Sequence, residues 1–171
     1  MNPLKVTVLM LISLLIAEFA EAQYHNDSMS LIRFHYISAM RIPYNEVEVS
    51  LIRFYNHKLY KYKVIVESSH LYDDGRYVYS YVDTSYFISV EEFQNIFKLI
   101  NDIKPSDIYS TATNTDDGSS CEICFGNYEN NISYHIRNPG IETQKRKLDD
   151  FIKTCHAILK LAKLDPEEIL E

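Results

Sequence analysis

Cys121 and Cys124 stand three residues apart in the run Cys121-Glu122-Ile123-Cys124, a spacing that serves a redox dithiol or one half of a zinc site. Redox pairs of this kind sit at a helix start after a strand. Here the pair lies inside an alternating run, where neighbouring side chains point to opposite faces. Cys121 therefore goes with Ile123 and Phe125, and Cys124 with Glu122. Two thiols on opposite faces neither meet nor share a metal, and no second cysteine pair completes a zinc site. The remaining cysteine, Cys155, is at the centre of an apolar stripe at helical spacing, which makes Cys121 and Cys155 a candidate disulfide. Closing a loop of about 34 residues contributes roughly 3–4 kcal/mol on the loop-entropy account. Two free thiols packed as small apolar groups are the alternative, and it stays open. With three cysteines, at least one is unpaired or pairs between chains.

The histidines are His25, His35, His57, His70, His135 and His156. They form no H-E-x-x-H and no i, i+4 pair, and no G-x-S-x-G nucleophile turn occurs. No catalytic residue, metal ligand or cofactor is assigned on these grounds. A hydrolase would have to draw on His135 with carboxylates such as Asp107, Asp116 or Asp117. The other unusual feature is 14 tyrosines with no tryptophan. Tyr60, Tyr62, Tyr77, Tyr79 and Tyr81 fall in two adjacent candidate strands. Facing outward, they would form an aromatic platform for a protein or a glycan. Tyr60 and Tyr62 share their side with Val64 and Val66, so placement at the core is the competing expectation.

The elements that would position these groups follow from periodicity. Residues 31–40 and 46–55 are rich in β-branched and aromatic types, and Arg41-Ile42-Pro43-Tyr44-Asn45 between them reads as a turn. Val47, Val49 and Leu51 alternate with Glu46, Glu48 and Ser50, the pattern of a sheet with one wet face. Alternation continues over 59–67, and 76–82 reads as a fourth strand after Asp73-Asp74-Gly75. The period then changes. Ser89 with Glu92 spells a capping box, and Val90, Phe93, Ile96, Phe97 and Ile100 form a helical stripe, which predicts a helix from 90 to about 103 that ends before Pro105. The polar stretch 105–118 reads as a loop, and 119–125 with 131–137 as a hairpin. Leu148, Phe151, Ile152, Cys155, Ile158, Leu159 and Ala162 predict an amphipathic helix over about 143–163, with Lys145-Arg146-Lys147 as its solvated start. Asp165-Pro166 opens a short terminal turn. The expected fold is α+β: an antiparallel sheet of about six strands, order ββββ-α-ββ-α, with two amphipathic helices packed on one face.

Residues 1–22 have the parts of a secretory signal: Lys5, an apolar run from Val6 to Ala17, and Ala20-Glu21-Ala22 as a cleavage site. The run is about half the roughly 20 residues of a membrane span. The expected mature chain is therefore one domain over residues 23–171, exported to a periplasm or secreted, without stable membrane insertion after the signal is removed. Loss of Lys5, Glu18 and Glu21 with the leader changes the net charge from −7 to −6, which argues against a nucleic-acid partner. Asn26-Asp27-Ser28 and Asn131-Ile132-Ser133 would be glycosylation acceptors in a eukaryotic source.

Asp117-Gly118, the strand ending in Phe125-Gly126, Ile132-Ser133-Tyr134, Asn138-Pro139, Lys147-Leu148-Asp149-Asp150-Phe151 and the run from Leu161 to Pro166 together resemble a group of small exported bacterial proteins of the Bacteroidota without assigned function. The resemblance covers about residues 85–171. It implies an exported location and a fold, and it brings no catalytic residue. The expected role is a non-enzymatic domain that binds a protein partner, of inhibitor, immunity or envelope-accessory type. A hydrolase or carbohydrate-binding accessory module is the alternative.

Overall fold

Runs of β-branched and aromatic residues favour extended backbone because their side chains pack well on a pleated surface. The computed structural model, which describes residues 29–38, 44–56, 59–68, 82–109 and 118–170, has six such strands. They are β1 (Leu31–Ser38), β2 (Glu46–Asn56), β3 (Leu59–Ser68), β4 (Asp83–Ile88), β5 (Ser119–Gly126) and β6 (Asn131–Arg137). All pair antiparallel in one sheet of spatial order β4-β3-β2-β1-β5-β6. The chain enters at the middle of the sheet, winds out to β4, and crosses to the other side of β1 through helices α1 (Val90–Asp102) and α2 (Pro105–Tyr109). After β6 it returns through α3 (Asp149–Leu161) and ends in α4 (Pro166–Leu170). Among the described residues, no helix is long and apolar enough to cross a membrane.

One sheet face carries the core. Ile32, Phe34 and Tyr36 of β1, Val47, Val49 and Leu51 of β2, Val64 and Val66 of β3, and Cys121 and Ile123 of β5 are fully buried there. The apolar stripes of α1 (Phe93, Ile96, Ile100) and α3 (Phe151, Cys155, Ile158, Leu159) close over them. Helix α1 begins where the sequence places it. The Ser89 hydroxyl oxygen accepts the Glu92 N–H at 3.1 Å, and the Glu92 carboxylate accepts the Ser89 N–H at 2.7 Å. The Ser89 N–H and the Ser89 hydroxyl, both donating to the carboxylate, hold the Glu92 carboxyl below its ordinary pKa.

Three elements differ from the expectations. The strand predicted at 76–82 lies outside the described residues up to Tyr81, as do the signal segment 1–22 and residues 110–117 of the polar loop. The strand that borders β3 is instead Asp83–Ile88. Its alternation is short, and Phe87, 64% exposed on its wet side, interrupts the pattern. The Tyr86 hydroxyl fastens this edge by donating to the Leu161 carbonyl at the end of α3. The start of the polar loop is helical, with Pro105 at the first position of α2.

The last long helix starts at Asp149, not near Thr143. Glu142 and Lys147 take left-handed backbone angles, φ 49° and 57°, which break helical geometry before Leu148. Arg146, read from sequence as part of a solvated patch, is only 7% exposed. Its guanidinium donates to the carbonyls of Asn138 at 2.6 Å, Ile141 at 3.0 Å and Arg137 at 2.8 Å, and burial lowers its pKa. One side chain thus gathers the loop between β6 and α3 around its fork of donors. Replacing it leaves several carbonyls without their charged donor, so Arg146→Met is expected to cost about 3 kcal/mol or more in urea unfolding. Lys145→Met, at an exposed position in the same turn, should stay within about 0.5 kcal/mol. A loss under about 1 kcal/mol for Arg146→Met would contradict this role.

Candidate binding site

Helices α1 and α3 cover one face of the sheet, and among the described residues no helix packs on the other. Of the tyrosines singled out by sequence, the two that are described, Tyr60 and Tyr62, do not line that open face. Tyr62 is on the helix side with its ring centroid 4.9 Å from that of Phe93. Tyr60 shares that side but reaches past the helices and is 51% exposed. Its ring meets Tyr55 at 5.3 Å, and the Arg53 guanidinium is 4.7 Å from its centroid. Tyr77, Tyr79 and Tyr81 lie outside the described residues.

The open face is built from the alternate residues, and its rows can be read from the strand registers. One row crosses all six strands as Asp83, Glu67, Glu48, His35, Glu122 and His135. Four of its six side chains are carboxylates, and Glu67 has Glu48 on one side and Asp83 on the other. Like charges directly opposite each other destabilise a sheet. Local bonds temper the row: His35 Nε2 lies 3.0 Å from Glu46, Ser50 donates to Glu48 at 3.2 Å, and the Ser133 hydroxyl donates to Glu122. Toward one end the face becomes apolar and basic, with Ile65, Ile52 and Leu31 half-buried and Phe87 exposed. The Phe54 and Phe87 rings stand 6.2 Å apart, and Lys61 Nζ is 5.5 Å from the Phe87 centroid. With strands about 4.8 Å apart, this surface is roughly 24 Å wide.

His135 is exposed on this face, across from Glu122. Asp107 is on α2, whose Ile108 packs against the core on the helix side, the face opposite the one that carries His135. Asp116 and Asp117 lie outside the described residues. Among the described residues, no three His, Cys, Asp or Glu side chains group to hold a metal ion.

A second feature is a pocket, open to solvent on one side. A cavity of about 600 Å³ lies where the ends of β1 and β5 meet α3 and α4, lined by Tyr36, Ser38, Asn138, Thr143, Ile152 and His156 among others. Gly118 at its rim leaves room for the Asn138 side chain, whose Oδ1 accepts the Ser119 N–H at 3.0 Å. The Tyr36 hydroxyl is buried here without a hydrogen-bond partner. Strand parity puts Tyr36 beside Ile32 and Phe34, but it says nothing about its hydroxyl, because apart from Ser38 the groups that line the cavity come from segments about 80 or more residues away.

No family model, no curated protein and no solved structure matches this chain. The geometry alone therefore carries the functional argument.

A buried hydroxyl that bonds nothing destabilises the fold by its lost hydration. Tyr36→Phe is accordingly expected to raise stability by about 1 kcal/mol in thermal or urea unfolding. A loss of stability would mean that the hydroxyl is bonded in solution, for instance to an ordered water in the cavity.

Proposed function

We propose that the mature chain is a non-enzymatic exported domain that binds a protein partner on the uncovered face of its sheet. The observation that carries this reading is the row Asp83-Glu67-Glu48-His35-Glu122-His135 beside an apolar end containing Phe54, Ile65 and Phe87. A surface with apolar contacts next to concentrated charge suits specific association, in which the charge steers encounter and the apolar part holds the complex. The cross-strand repulsion of Glu48, Glu67 and Asp83 is a cost to the free protein that a basic partner surface would remove. The exported location rests on the secretory pattern of residues 1–22. An inhibitor, an immunity-type protein or an envelope accessory factor would each use such a face.

The reading predicts opposite effects on binding and stability. In affinity capture from native envelope and culture extracts, the chain should retain one stoichiometric protein at low salt. The triple variant Glu48→Gln, Glu67→Gln, Glu122→Gln should lose it while unfolding about 0.5–1 kcal/mol later than the native chain. Retention of the same protein by the triple variant, or no retained protein at all, would count against the open face as the docking surface.

A further inference from the structure

Cys121 at the start of β5 and Cys155 in the middle of α3 both have 0% exposure, and their sulfurs lie 3.6 Å apart. We infer that these two residues form an intramolecular disulfide that fastens the sheet to its covering helix, with Cys124 left as a thiol. A disulfide holds its sulfurs at about 2.05 Å, so the pair must close by roughly 1.5 Å. The competing pairings are worse placed. Cys124 is on the opposite face of β5, beside Arg33 and Ser133 in register, and shares no packing layer with Cys121 or Cys155.

The chemistry needs an oxidant, and a low-molecular-weight or protein disulfide supplies it. One cysteine loses its proton and attacks the oxidant, forming a mixed disulfide and releasing one thiol. The second cysteine, also deprotonated, attacks that mixed bond and releases the other thiol. The two cysteines thereby lose two electrons and two protons, and the oxidant disulfide is reduced to two thiols. In the folded protein this route is closed. Burial pushes the Cys121 thiol well above its ordinary pKa, the neighbouring Cys155 adds to the shift, and no reagent reaches a fully covered sulfur. The bond therefore forms while the chain folds, before α3 settles on β5, and is afterwards shielded from reductants. The redox history at folding fixes which form persists.

The test refolds the whole mature chain in parallel with oxidised glutathione and with dithiothreitol. In the oxidised sample, alkylation after unfolding without reductant should modify Cys124 alone. A non-reducing digest should give one cross-linked peptide pair, lighter by two hydrogens, joining Cys121 to Cys155. That sample should melt roughly 10 °C above the reduced one, and dithiothreitol added to the folded protein should not remove the difference. Cys124→Ser should keep both the cross-link and the shift, and Cys155→Ala should abolish both. Three alkylatable thiols in the oxidised sample, or a cross-link through Cys124, would overturn the assignment.

Discussion

Side-chain parity is the constraint on which the rest of the molecule depends. Ile32, Phe34 and Tyr36 must share a face with Val47, Val49, Leu51, Val64, Val66, Cys121 and Ile123, because among the described residues only that face has helices to bury it. A slip of one residue in any pairing would turn that strand's apolar set to water and bring its charges against α1 and α3. For β2 the slip would bury Glu46 and Glu48 and expose Val47 and Val49. Register is thus enforced strand by strand, and the composition of the open face follows as its complement.

That complement is why a charged surface lies opposite the core. On the covered side, stability comes from apolar burial under two helices, whose own position is fixed by the Ser89–Glu92 cap, the Tyr86–Leu161 bond and the carbonyls gathered by Arg146. None of these restraints uses the open face. Its carboxylates and imidazoles lie off the buried core, so charge can accumulate in one row at a modest cost in stability. The Cys121–Cys155 contact belongs to the covered side, and a bond there would tighten the layer without altering the open face.

Most of the architecture was legible in the sequence because it rests on local periodicity. Alternation in β2 and β3, the helical stripe after Ser89 and the stripe through Phe151 and Cys155 gave the α+β class, an antiparallel sheet with five of its six strands in place, and one covered face. What escaped is non-local. β4 is short, and Phe87 breaks its alternation, so only pairing with β3 reveals it. The helix start near Thr143 was misread because Leu148 is buried just ahead of Asp149 and extends the apolar pattern through residues whose backbone is not helical. Arg146 looked like a surface charge because its partners are backbone carbonyls, which carry no sequence signature. The candidate site was the least legible part. Its acidic row joins residues from six strands, and their alignment depends on registers that no single segment encodes.

Carboxyl footprinting with a carbodiimide and a small amine, read by peptide mass spectrometry, addresses the open face most directly. The account predicts that Glu48, Glu67, Asp83 and Glu122 label readily in the free protein. Once a captured partner is bound, they should become protected together, while Glu91 and Glu168, exposed on the helix side, do not change. Slow labelling of the row in the free chain, or labelling that the partner leaves unchanged, would contradict a docking role for this face.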